Sequence, residues 1–166
     1  MNMKAKSALL LMAAFCLFLG SCQHQPKTLA ERIDNLQQQV NRDSKTLYEL
    51  EENEFPQLKK DFQHCDSLLQ YLDSVQLNAT FEQLNLVQAY ISQFADLKAD
   101  MRKKLDYSLV QLDRLKADTE SHYLTDSLAE AYFETEAQVA DTLHHRVLYF
   151  KEKLDSCRKS LSDLKK

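Results

Sequence analysis

The chain has 166 residues, with 21 Lys and Arg against 25 Asp and Glu, a net charge of −4, one glycine, two prolines and no tryptophan. An acidic balance with no basic stripe excludes nucleic acid or an anionic lipid face as the main partner, because both select clustered Lys and Arg. A single glycine disfavours hairpins and phosphate-cradling loops, which draw on it for positive φ, and leaves an all-α fold.

The N-terminal segment places Lys4 and Lys6 ahead of an apolar run from Ala8 to Leu19, with small residues before Cys22, the three parts of a secretory signal. The run is too short for a bilayer core, which needs about 20 apolar residues. Leu19-Gly20-Ser21-Cys22 resembles the lipobox of bacterial lipoprotein precursors, and the resemblance covers the first 22 residues alone. It implies a signal peptide over 1–21 cleaved before Cys22, a diacylglycerol on the Cys22 thiol, and a further acyl chain such as palmitate on its new amine. Several chains hold far better than one, since each buried methylene adds about 0.8 kcal/mol. Gln23 resembles the residue after the lipidated cysteine in lipoproteins sorted to an outer membrane, where retained ones carry Asp. Cleavage leaves 145 residues and, with Lys4 and Lys6 gone, 19 basic against 25 acidic side chains, for a net charge of −6. That length suits one domain: a lipidated tether over 22–27 and a helical domain over 28–166.

Apolar spacing of three and four sets the helices of that domain. The first run has Leu29, Ile33, Leu36, Val40, Leu47 and Leu50, then Leu58, Phe62, Cys65, Leu69 and Leu72. Its seam slips by one residue near Glu54 and Phe55, and Pro56 removes an amide donor, so the helix is expected to kink or break there. A connection at Asn78-Ala79 is expected next, with Thr80 and Gln83 as a capping box opening a helix whose seam is Leu84, Val87, Ile91, Phe94, Met101, Leu105, Leu112 and Leu115. The pattern lapses from Asp118 to Tyr123. Thr125 or Asp126 then caps a third helix with Leu128, Tyr132, Val139, Leu143, Val147, Phe150, Leu154, Leu161 and Leu164 on one side. In Tyr132-Phe133 and Tyr149-Phe150 one ring belongs in the core and its neighbour at the seam's edge, unless the aromatics form an exposed strip for a partner. The reading is an elongated antiparallel three-helix bundle with coiled-coil-like seams, roughly 60 Å long for helices of about 40 residues. The same seams could also serve a homo-oligomer.

Four cysteines test this layout. Cys16 leaves with the signal and Cys22 carries lipid, so Cys65 and Cys157 remain, both in apolar seams, in an oxidising compartment. The first and third helices run parallel, and the two cysteines fall within some 6 to 10 Å of one level along the bundle. A Cys65–Cys157 disulfide is therefore expected, closing a loop of about 92 residues worth roughly 4 to 5 kcal/mol in the chain-entropy model. The competing arrangement is two buried thiols acting as small apolar groups.

The same pattern holds few groupings suited to chemistry. Asp61-Phe62-Gln63-His64 and Asp141-Thr142-Leu143-His144 each put a carboxylate and an imidazole on one helical face, loosely as in helical di-iron bundles. Register places His64 and His144 about 18 Å apart along the axis, too far for one metal centre. Asp-Ser pairs recur, as at Asp66-Ser67 and Asp155-Ser156, but consecutive helical residues point about 100° apart and form no base-activated nucleophile. No catalytic residue, metal site or cofactor is therefore assigned; the covalent lipid on Cys22 is the one added group. The expected function is non-enzymatic: a lipid-anchored cell-envelope interaction or spacer module meeting the membrane through its anchor, and an envelope protein or peptidoglycan beyond it. A helical lipoprotein ending in Lys165-Lys166 resembles murein lipoprotein in layout, though this chain is longer and interrupted by turns. The alternative is a periplasmic helical binder or holdase for envelope clients.

Overall fold

The computed structural model describes residues 28–69 and 74–164. The lipobox, Cys22, the tether, Leu72 and Lys165-Lys166 lie outside the described residues. Helix α1 (Leu29–Glu49) leads through one wide π-type turn (Leu50–Glu54) into α2 (Phe55–Leu68), and α3 (Ser74–Glu120) and α4 (Asp126–Leu164) follow. The fold is an all-α bundle in which the α1–α2 run, α3 and α4 pack against one another, with no strand among the described residues.

Thr28 opens α1 with a reciprocal capping box. Its Oγ1 accepts from the Glu31 amide at 3.2 Å and its own amide donates to Glu31 Oε2 at 2.9 Å. At the other end of α1 the seam steps five residues, from buried Leu50 to buried Phe55. A regular α-helix would swing the second residue far from the first, so the turn widens instead and the Phe55 amide donates to the Leu50 carbonyl. Pro56 then sits in the first turn of α2, where a missing amide costs least. The helix is thus not broken at Pro56; the slipped residue is absorbed in the turn before it. The Phe55 ring stacks on Phe94 at 3.6 Å and 11°, and Phe150 meets Phe94 edge-on at 5.2 Å.

Polar pairs report the register. Asp34–Lys116 and Gln37–Asp113, both at 2.6 Å, advance on α1 as they retreat on α3, so these helices are antiparallel. Arg32 bonds Glu130 and Glu134, Asp43 bonds His144 and Glu54 bonds Arg158, so α4 runs parallel to the α1–α2 run. The start of α1 and the α3–α4 turn therefore share one end, called proximal below, and the C-terminal ends of α2 and α4 share the distal end. At 1.5 Å per residue the 47 residues of α3 make a rod of about 70 Å.

Two expectations about helix ends are corrected. Helix α3 already runs from Ser74, so Asn78-Ala79 is not a connection and Thr80 with Gln83 is not a capping box. The chain passes from α2 to α3 through 70–73. Asn and Thr cost less than about 0.7 kcal/mol each in a helix interior, too little to end one that has a bundle to pack against. At the opposite end the lapse after Asp118 is a real turn. Tyr123 N–H donates to the Asp118 carbonyl at 2.9 Å and His122 N–H to Thr119 at 3.2 Å, a Schellman closure with His122 in the left-handed region at φ 55°. The Thr125 carbonyl accepts the Leu128 and Ala129 amides and starts α4.

All eight expected seam residues of α3 are buried, from Leu84 to Leu115. In α4 the seam holds from Leu143 to Leu161, but its first half is one residue off: Ala129, Phe133 and Ala140 face the core, whereas Leu128, Tyr132 and Val139 are exposed. There the interior takes the small side chains of Ala129 and Ala140, and the larger apolar ones beside them lie outside.

Replacing Phe55 by Ala should cost about 3–5 kcal/mol in a urea melt, because it empties the ring stack at the wide turn, whereas exposed Asn53→Ala should stay within about 0.5 kcal/mol. His122→Gly should stabilise the protein by about 1 kcal/mol in the same assay, since glycine takes the left-handed conformation without a Cβ clash.

Candidate functional site

The two seam cysteines come close without meeting. Cys65 is buried on α2 and its Sγ lies 3.7 Å from the Leu161 carbonyl, one turn of α4 beyond Cys157. That four-residue offset is about 6 Å along the axis, and Cys157 faces the α3–α4 groove beside Val87 and Tyr90 instead. The expected Cys65–Cys157 disulfide is absent from the structure, where both side chains are buried. Burial pushes the Cys157 thiol above its usual range, against a smaller opposing pull from Lys153, which keeps it protonated and unreactive.

The histidines also separate. His144 turns away from Asp141 and meets Asp43 of α1, Nδ1 to Oδ1 at 2.9 Å, while His145 is the residue within 3.6 Å of Asp141. His64 is exposed next to Cys65 at the level of Leu161, so it lies about 25 Å from His144 along α4, farther than the sequence suggested. Among the described residues no three His, Cys, Asp or Glu side chains converge as a metal would require.

Asp43 is a polar residue at a seam position, the one left open by the seven-residue step from Val40 to Leu47. It is 5 % exposed, in a seam between Val40 and Leu47, and the α1–α3 register carries it to the level of Ser108, which is also buried between Leu105 and Leu112. Asp43, Ser108 and His144 thus make a polar layer across the bundle, beside a cleft of about 310 Å³ rimmed by Arg42, Thr46 and Lys151. Among the described residues the hydroxyls of Ser44 and Ser108 form no hydrogen bond, and neither is coupled to the imidazole as a nucleophile would be. A second buried carboxylate, Glu51 in the wide turn, is met by Lys98 and Arg102 of α3.

Two further grooves lie between α3 and α4. Toward the distal end a groove of about 480 Å³ is lined by Leu86, Tyr90, Tyr149 and Cys157. Tyr90 donates its hydroxyl to the Phe150 carbonyl, and burial drives its phenol far above the ordinary range, so it stays a neutral donor. Toward the proximal end a shallower groove of about 400 Å³ is lined by Leu115, Tyr123, Leu124, Tyr132 and Glu136. Partial burial there raises the Glu136 carboxyl above its usual range. Both grooves open to solvent along the rod.

Compared with known proteins, the chain matches no family model, no curated protein and no solved structure.

Without reductant, peptide mapping of the folded protein should show little iodoacetamide modification at Cys65 and Cys157. Denaturation should make both fully reactive; a disulfide would keep them unmodified in denaturant as well.

Proposed function

We propose that the protein is a lipid-anchored cell-envelope module that does no chemistry of its own and works as an interaction post or spacer. One observation carries this reading. The lipobox cysteine lies six residues before Thr28, and Thr28 opens the first helix at one end of a rod of about 70 Å. A lipid on Cys22 would therefore hold the rod by its end, with the α2–α3 connection and the C-terminal end of α4 carried toward the far side. No described helix is long and apolar enough to cross a membrane.

A second reading has its own support. Exposed Leu86 and the half-exposed Tyr149 line the distal α3–α4 groove, a surface suited to gripping apolar segments of unfolded envelope clients. In-cell crosslinking followed by mass spectrometry separates the two: a post yields defined envelope proteins or peptidoglycan at fixed positions, and a holdase yields a diffuse set of unfolded clients around that groove.

Cys22→Ala should abolish incorporation of a palmitate analogue, leave the 1–21 segment uncleaved and remove the crosslinked neighbours. Retention of label in that variant would refute the anchor assignment.

A further inference from the structure

Tyr123 is 80 % exposed in the α3–α4 turn, and Leu128 and Tyr132, 43 % and 51 % exposed, lie one helical turn apart on the same face of α4 just above it. Together with half-buried Leu124 they make an aromatic and aliphatic band confined to the proximal end; from Asp126 to Tyr132 it is about 9 Å deep. Leu86, Tyr107 and Phe81 are also exposed elsewhere on the rod, but at this end the large apolar side chains group into one patch, the mark of a contact surface. We propose that the band seats in the headgroup region of the bilayer that holds the lipid anchor, so that the rod stands on the membrane instead of swinging on its tether. This inference rests on the anchor reading above.

Reach and chemistry both point to that occupant. Gln23 to Lys27 separate the lipidated position from Thr28, and five residues span at most about 18 Å when fully extended. The band shares its end of the bundle with Thr28, because Arg32 bonds Glu130 and Glu134 just above the α3–α4 turn. Tyrosine is a residue of membrane interfaces, with an apolar ring and a hydroxyl that stays among the headgroups, and apolar faces enter that layer by about 5–10 Å. Asp118, Glu120 and Asp126 flank the band and Arg114 is the one cation lining its groove, so this end offers no basic cluster for an anionic surface. The fitting surface is a zwitterionic phospholipid such as phosphatidylethanolamine.

The absence of tryptophan from the chain allows a single-reporter test. The full-length Tyr123→Trp protein, purified from membranes and reconstituted into phosphatidylethanolamine–phosphatidylcholine vesicles with brominated acyl chains, is compared with Tyr107→Trp, whose position is 62 % exposed and about 20 Å farther up α3. Mass spectrometry of the N-terminal peptide from the same sample reports the lipid on Cys22. The expected result is a lipidated chain in which the Tyr123→Trp emission is blue-shifted and quenched several-fold more than that of Tyr107→Trp, with no gain when anionic phosphatidylglycerol is added. A lipidated chain with equal quenching at the two positions, whether the tip is free or covered by a second copy, overturns the seating and leaves the anchor reading standing. Stronger quenching on anionic vesicles overturns the zwitterionic assignment. A chain without lipid on Cys22 overturns the anchor reading, and this inference with it.

Discussion

The five-residue step from Leu50 to Phe55 is the constraint on which the bundle's register depends. A seam with one residue too many must either turn its next apolar side chain into solvent or change the local helix, and Phe55 is the side chain at stake. Widening the turn keeps Phe55 in the core, stacked on Phe94 with Phe150 at its edge, so all three helices meet at one aromatic layer. The same turn aims Glu51 at Lys98 and Arg102 and Glu54 at Arg158, which ties the altered backbone to both neighbours. Such a buried carboxylate is held by its partners more than it stabilises on its own, because desolvation offsets much of the attraction.

Register above and below that layer explains the rest of the interior. Toward the proximal end Asp43 and Ser108 interrupt the α1 and α3 seams at one level, and His144 meets Asp43 from the edge of the α4 seam. A polar layer of this kind discriminates against slipped packings, in which the carboxylate would face apolar side chains, and so favours one alignment of α1 beside α4. Toward the distal end the alignment leaves Cys65 one turn away from Cys157, each serving as a small apolar group.

The two ends of the rod differ in what they offer. The proximal end carries the Schellman closure at His122 and the exposed aromatic band, close to the residue proposed to bear lipid. The distal half offers the deeper α3–α4 groove, with exposed Leu86 beside Tyr90. The proposed spacer role would use that asymmetry, with one end on a surface and the other some tens of ångströms away.

The sequence by itself determined the helical class, the α3 seam, the slip before Pro56 and the turn after Asp118, because each is a local pattern of apolar spacing or a missing donor. It also contained the Thr28 and Glu31 capping box at the spacing such boxes use, while the similar pattern at Thr80 and Gln83 marks no helix start. Only the tertiary structure decided which residues of early α4 face inward, since Leu128 and Tyr132 look apolar enough for a core that in fact takes Ala129 and Phe133. It also decided the burial of Asp43 against His144 and the one-turn miss between the cysteines. These depend on axial offsets between helices far apart in the chain, and an offset of one turn leaves every local periodicity unchanged.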